Sequence, residues 1–521
     1  MQSSNHCTKE KQHFMEIGKK MMNVIAPYLG LFAAIWFFYG RLYAKNLINN
    51  EAAICLSMRA ILVILVLYGC GLAYSKKLTF ERLTWLLILG GLVMRIGYTY
   101  YTPYYVRLFD LGEISETGNG HAAYIYNLFY HHALPASYDY QFYHPPLYHI
   151  LAAWNMKLFS LFYPTADPIV WFEAAKLISC FASCCTLLLI HRICQELKCT
   201  TEMTCLITGL MAFYPNFYLQ AGRINNDATA TAFMMLAILM LITWYHTGRF
   251  SQLMGMALGI GLGMMTKLNA AILAFVAGPV MLYRFWQSIR NKTWQKQFLQ
   301  YLSFLAVCAP LGLWYSIRNF VLFRQPIGYV HNLDANGPSW LYRGDYSLTQ
   351  RFFSFPWDQY KQNVYASSGD DYNLPLYLLR SSLFSEFSFE HMDHVARMMT
   401  HINLILILLS LIAMIVILWK GNTFSKALRF GSELLWLVMM ISYFSFNIKY
   451  PDSCTMDFRY IVPTAVCGMI YLAAFRQLLR DYVKKGNKGL LRFLANCMIW
   501  GIPVLCTLFI LLSAYMFSNL S

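Results

Sequence analysis

The sequence predicts an all-α polytopic membrane protein, a helical bundle of about thirteen transmembrane helices with polar loops gathered on one face. Three observations predict it. Of 521 residues, 58% are hydrophobic and 13% charged, against roughly 25% charged in a soluble domain. Apolar runs long enough to cross a hydrocarbon core of about 30 Å recur along the chain and leave no linker between separate water-soluble cores. The net charge is +16, but Lys and Arg sit mostly in short connections between apolar runs. That is the positive-inside pattern, not the footprint of a nucleic-acid binder.

The N-terminal region, 1–103, holds three spans. Residues 1–20 are polar, and the run 21–43 is long and lacks a small-residue cleavage site, so it is expected to be retained. Spans 52–74 and 83–102 follow. An outer loop, 104–163, interrupts the apolar pattern. Its helix 146–163 starts at Pro145-Pro146 and carries Trp154, Asn155 and Lys157, so it is expected to lie along the interface. The core, 164–318, holds spans 168–193, 204–221, 227–245, 252–266, 268–286 and 298–318. The run 252–266 is short, which predicts a tight hairpin turning near Lys267. Spans 401–419, 431–447, 459–475 and 494–516 complete the chain within 401–521.

Charge orients the bundle. Lys76, Lys77 and Arg82, then Arg284, Arg290, Lys292 and Lys296, then Arg476, Arg480, Lys484, Lys485, Lys488 and Arg492 fall on one side if the N-terminus is cytoplasmic. The loop around Asp110, the segment 319–400 and the loop 448–458 then lie outside. Segment 319–400 carries Asp334, Asp345, Asp358, Asp370, Asp371, Glu386, Glu390 and Asp393 among many aromatics. It is too long for a simple turn and is expected to form a cap or interfacial helices.

The 14 cysteines are scattered, without a CxxC pair or zinc-ligand spacing. Cys184 and Cys185, like Cys180, read as small hydrophobes in an apolar run. Cys454 lies in an outer loop with no obvious partner.

The stretch from Arg107 to Ile150 carries the strongest chemical signal. It contains Asp110, Glu113 and Glu116, then clustered His and Tyr, then Pro145-Pro146. Asp110 follows the third span within a few residues. A carboxylate there, partly desolvated by Tyr104, Tyr105 and Phe109, can take a proton from a hydroxyl. The bland alternative is a solvated loop aspartate. His121, His131, His132, His144 and His149 lack the spacing of a known zinc site, so a metal role is left open.

The order of these elements resembles the first outer loop of the GT-C membrane glycosyltransferases, in the branch of protein O-mannosyltransferases and lipid A aminoarabinose transferases. A span precedes an Asp-bearing loop, a His- and Tyr-rich helix from His121 to Tyr130, Leu134-Pro135, and Tyr143-His144-Pro145-Pro146-Leu147-Tyr148-His149. Downstream, Arg223-Ile224-Asn225-Asn226-Asp227 opens a span, Met265-Thr266-Lys267 resembles the family's Thr-Lys element, and Asp457-Phe458-Arg459-Tyr460 with Pro463 resembles its Arg-Tyr-x-x-Pro. Two departures stand out. Leu111, not Glu, follows Asp110, leaving Glu113 as the nearest acid, and two extra spans precede the loop.

The resemblance implies an inverting transferase that takes a sugar from a polyprenyl-phosphate-linked lipid donor at the extracytoplasmic face. The acceptor is a protein, lipid or glycan, membrane lipids surround the chain, and no nucleic acid is involved. Asp110 is expected to be the base. Lys267 and Arg459 are expected to bind the donor phosphate, with Arg223 and Arg318 as further basic residues at outer span ends; snorkelling is the ordinary fate of such residues. Asp227 is either a helix N-cap or a second acid facing Asp110, where the pair would orient the acceptor or hold a divalent cation such as Mg or Mn. His121 is expected to contact sugar or phosphate, and His144 to fix the loop or meet substrate. The expected location is a cell membrane, or the endoplasmic reticulum membrane in a eukaryote. The alternatives are a transporter or flippase of a lipid-linked saccharide, and a scaffold with a dead site. A transporter would place charges near the bilayer midplane and show related halves, whereas here the acids cluster in outer loops and no halves match.

Overall fold

The computed structural model describes residues 25–108, 110–331, 333, 339–362, 371–420, 424–486 and 488–520. The polar stretch 1–20, the first residues of the run 21–43, Phe109, Asp334 and Asp370 lie outside the described residues. Among the described residues the chain is helical, with one isolated bridge between Tyr342 and Asp452.

Helices α1 (Ile25–Ala44), α2 (Glu51–Tyr74) and α3 (Phe80–Tyr101) come first. Asn50 and Thr79 cap α2 and α3 through their side chains, supplying acceptors to N–H groups that have no partner inside the helix. The loop that follows contains α4 (His121–Tyr126) and α5 (Leu147–Phe162). Then come α6 (Pro168–Glu173), α7 (Lys176–Glu196), α8 (Thr201–Ala212), α9 (Pro215–Ala221), α10 (Asp227–Thr247), α11 (Phe250–Thr266), α12 (Ala274–Arg290) and α13 (Trp294–Phe323). The segment expected as a cap forms α14 (Leu348–Phe352), α15 (Trp357–Gln362) and α16 (Leu374–Phe384). Helices α17 (Asp393–Lys420), α18 (Lys426–Lys449), α19 (Pro463–Lys484) and α20 (Leu490–Ser518) end the chain.

Among the described residues, ten helices are long and apolar enough to cross a membrane, fewer than the thirteen expected. The difference has local causes. Pro215 splits the run 204–221 into α8 and α9, because proline cannot supply the N–H that would continue the helix. Helix α11 has only 17 residues. Helix α19 is long, but Arg476, Arg480, Asp481 and Lys484 fill its last two turns.

The break at Pro215 frees carbonyls inside the bundle, and Arg95 of α3 satisfies them. Its guanidinium is fully buried and donates to the carbonyls of Ala212 (2.7 Å), Met211 (3.1 Å), Gly91 (2.9 Å) and Ser183 (3.2 Å). One side chain thus ties α3 to α7 and to the end of α8, where no water is available to do so.

A second polar tie sets the start of the outer loop. Lys176, at the top of α7, pairs with Glu173 and donates to the carbonyl of Thr102 (2.6 Å), while Glu173 accepts from the Tyr104 N–H (3.2 Å). The chain leaving α3 is thereby fixed to α6 and α7, six residues before Asp110.

Candidate active site

The loop bearing Asp110 is closed by backbone pairing. The His121 N–H donates to the Asp110 carbonyl (3.0 Å) and the Ala122 N–H to the Leu111 carbonyl (2.8 Å). These bonds satisfy the first donors of α4 and bring Gly120 against Leu111. A Cβ at Gly120 would meet the Leu111 carbonyl oxygen at 2.0 Å, so only glycine fits there. Asp110 itself has φ +50°, a left-handed conformation that aspartate tolerates better than most residues. Its carboxylate is half-exposed and opens into a cavity of about 360 Å³.

On the opposite wall, three consecutive residues divide the work at the head of α10. Asn225 lies 3.4 Å from His121 Nε2 through its side-chain nitrogen, and its oxygen accepts from the Asp227 N–H (2.8 Å). Asn226 donates to the carbonyl of Thr266, the last residue of α11 (3.1 Å). That bond places Lys267, at the α11 corner, beside Asp227, and the two form an ion pair. Asn225 therefore does the capping, and Asp227, expected either to cap or to face Asp110, is free to hold cations. Its position in the first turn suits the helix dipole.

Arg459 completes the set. Its Nη2 is 3.5 Å from Asp110 Oδ2 and its Nη1 is 3.8 Å from Asp227 Oδ2. The short turn that carries it is capped by Asp457, whose Oδ1 accepts from the Arg459 N–H (2.7 Å) and whose Oδ2 accepts from Ser385 Oγ (2.6 Å). Ser381 Oγ accepts from the Phe458 N–H (3.0 Å). Helix α16, docked on α9 by a bond from Asn216 to the Ser381 carbonyl (3.0 Å), thus aims Arg459 into the cavity. Tyr460 lies beneath both cations, its ring 4.8 Å from Lys267 Nζ and 5.2 Å from the Arg459 guanidinium carbon.

A column of histidines forms the third wall. His121 Nδ1 is 2.8 Å from His149 Nε2, and the His121 ring stacks at 5.8 Å on His144. Burial pushes His121 down to about 4, and the cations Lys267 and Arg459 add to this against the opposing pull of Asp110 and Asp227. Burial likewise holds His144 and His149 well below the ordinary range. All three are neutral at physiological pH. The loop carrying His144 is pinned to α13, where Tyr315 OH donates to the Phe142 carbonyl (2.7 Å) and accepts from Tyr124 OH (3.0 Å).

Of the residues expected to act, Asp110, Lys267, Arg459, His121 and His144 line one cavity, and Asp227 underlies it. Three others lie elsewhere. Glu113 is solvent-exposed. Arg318 donates to the carbonyl of Pro135 (3.1 Å) and to Asn319 (2.8 Å), bracing the loop instead of lining the cavity. Arg223 is buried beneath, its guanidinium 4.5 Å over the Phe387 ring. Sequence reasoning did not single out Asp457, Ser385 or Tyr460 as builders of the site; Asp457 and Tyr460 were legible only as neighbours of Arg459.

Asp110 and Asp227 do face each other, but across the Arg459 guanidinium, with Lys267 on the far side of Asp227. Among the described residues, no group of three or more His, Cys, Asp and Glu side chains is placed to hold a metal ion. Two carboxylates that share two cations are a poor donor set for a divalent ion, which needs several oxygen ligands.

Residues 143–314 match the family model of dolichyl-phosphate-mannose-protein mannosyltransferases. The matched stretch contains His144, Asp227 and Lys267. Two solved structures of an oligosaccharyltransferase from Archaeoglobus fulgidus are similar to this chain: the apo form, at 13% identity with a TM-score of 0.44, and the enzyme AglB in complex with an inhibitory peptide and a dolichol-phosphate, at 12% with 0.43. Each likeness covers 84% of this chain but 56% of the archaeal one, so the chain spans little more than half their length. No curated protein sequence matches the chain. The GT-C resemblance read from the sequence is borne out by the family match and the helical membrane architecture.

Proposed function

We propose that this chain is a membrane glycosyltransferase of the GT-C type that transfers a sugar from a polyprenyl-phosphate carrier to an acceptor hydroxyl at the extracytoplasmic face, with inversion at the anomeric carbon. One observation carries the proposal: a half-exposed carboxylate and two cations, Asp110 with Lys267 and Arg459, face one cavity. In the proposed reaction the acceptor oxygen attacks the anomeric carbon while Asp110 takes its proton. The bond from that carbon to the phosphate oxygen breaks, and the electron pair leaves with the phosphate. Lys267 and Arg459 meet the charge that develops there. The neutral His121 and Asn225 supply hydrogen bonds without adding charge.

A lipid donor needs somewhere to lay its chain. Below the polar cavity, an apolar groove of about 430 Å³ runs between α10, α12, α18 and α19. Its lining continues that of the cavity turn by turn, from Ile272 to Val276, from Met439 to Leu435 and from Ile461 to Pro463. A phosphate held by Lys267 and Arg459 would therefore have its isoprenoid tail along the groove. With the N-terminus cytoplasmic, a placement that the basic loops support, the cavity would face outside.

Purified protein given a defined polyprenyl-phosphate sugar and a panel of acceptors tests the proposal. Transfer that is lost in Asp110→Asn supports it. Movement of the lipid across a proteoliposome membrane without any transfer points instead to a transporter.

A further inference from the structure

Behind Arg459 lies an acid that the proposed reaction does not use. Glu386 follows α16, and Oε1 of its carboxyl is buried without a hydrogen-bond partner. Tyr377 lies beside the same carboxyl. The residue before it, Ser385, is a non-glycine at φ +56°, ψ −130°. Such a conformation is strained for any residue but glycine and persists only where the surroundings impose it. Here they do: the Ser385 N–H donates to the Ser381 carbonyl (3.0 Å) and its Oγ to Asp457 Oδ2 (2.6 Å). The bonds that aim Arg459 into the cavity are thus the bonds that turn Glu386 inward.

The groups that face Glu386 are Asp457 and Asp110, which oppose its ionisation, and Arg459 and Arg223, which favour it; Tyr377 and Cys454 are neutral neighbours. Four acids (Asp110, Asp227, Asp457 and Glu386) surround three cations (Lys267, Arg459 and Arg223). With Glu386 ionised, the cluster carries one excess negative charge before any phosphate arrives. With Glu386 protonated it is balanced.

We propose that Glu386 is a positioning residue that regulates donor binding through its proton: protonated, it leaves the charge of Arg459 to the lipid phosphate, and ionised, it competes for that charge. The proposal rests on the transferase function proposed above. Burial, with Asp457 and Asp110 adding to it, lifts the Glu386 carboxyl from 4.5 to about 7, so the competing charge appears within the physiological range. The other titrating groups at the cavity do not confuse the signal. His121 sits near 4, and a phosphodiester donor carries one constant charge throughout.

The test is the donor KM and kcat of the wild-type protein, followed separately from about pH 6 to about pH 8.5. If donor binding shifts the Glu386 equilibrium by about one unit, the donor KM rises about tenfold across this range. In Glu386→Gln, permanently neutral and nearly the same shape, the donor KM stays at its low-pH value throughout. A merely structural role for Glu386 would move kcat or stability but not the shape of this profile. A wild-type KM that is flat in pH, or a rise that persists in the Gln variant, overturns the inference while leaving the transferase standing. Should the Gln variant fail to fold, Glu386→Leu, also permanently neutral, is measured in its place, and a KM rise that persists there overturns the inference equally. Absence of transfer by the wild type at every pH overturns the transferase, and this inference with it.

Discussion

Arg459 Nη2 lies 3.5 Å from Asp110 Oδ2, and the two side chains differ in exposure: 3% for the arginine, 41% for the aspartate. The arginine is the fixed partner, since Asp457, Ser385 and Ser381 hold its backbone turn. The aspartate is the partner that faces the cavity. A phosphate entering beside Lys267 would take over the guanidinium and leave the Asp110 carboxylate to the acceptor.

Arg459→Gln is expected to raise the donor KM, because it removes a charge-assisted hydrogen bond worth roughly 1.5–3 kcal/mol, about ten- to a hundredfold. Arg459→Lys recovers only part, since an ammonium cannot bridge two groups as the planar fork does. Lys267→Ala is expected to act in the same direction and also to release Asp227 from its ion pair. Steady-state kinetics with donor varied at saturating acceptor check both.

Gly120→Ala is expected to lower kcat, because its Cβ would drive the Leu111 carbonyl away and shift Asp110 with it. Gly248→Ala, at a helix end with open space around it, serves as a control: it strains a positive φ without touching the loop. Comparing the kcat values of the two variants at matched folded fraction distinguishes loop displacement from general destabilisation.

His121 gives a pH prediction with a definite sign. Its folded value is depressed from 6.5 to about 4. The stability it contributes is therefore present above about 6.5 and lost as pH falls through about 4. Replacing it with Phe is expected to flatten the fall of the unfolding temperature between those limits, measured by thermal unfolding in detergent. Glu386 works the other way. Its raised value gives stability that is present below 4.5 and lost as pH rises through about 7, so Glu386→Gln is expected to unfold at a higher temperature than wild type above pH 7, and the gap should vanish near pH 4.

Arg95→Leu is expected to destabilise the bundle strongly, by several kcal/mol, since it leaves the carbonyls of Met211 and Ala212 buried without their donor. A fall of several degrees in unfolding temperature, with the donor KM of the remaining folded protein unchanged, is the expected result.

Much of this architecture could be read before any coordinates. Apolar runs mark α2, α3, α10 and α17 because a helix that crosses a hydrocarbon core needs about twenty apolar residues whatever it packs against. The turn at Lys267 was legible from the shortness of the run 252–266. The gathering of Asp110, Asp227, Lys267 and Arg459 was legible only through the resemblance, as these residues stand far apart in the chain. What stayed hidden depends on side-chain geometry across elements. Whether Asn225 or Asp227 caps α10 is decided by which one meets Lys267, and nothing in Asn-Asn-Asp settles it. Nothing in the sequence marks Arg95, although it repairs a break 120 residues downstream in α8 and α9. Segment 319–400 showed acids and aromatics without periodicity, and its α16 proves to be the brace behind Arg459.

The central claim is that the Asp110 carboxylate takes the acceptor proton. Single-turnover transfer by purified Asp110→Asn, with a defined polyprenyl-phosphate sugar and donor binding measured in parallel, tests it most directly. The account predicts transfer reduced about 10²- to 10⁴-fold, with donor still bound as tightly as by wild type or more so, because Arg459 is no longer shared with a carboxylate at residue 110. Transfer by the Asn variant at the wild-type rate would contradict it.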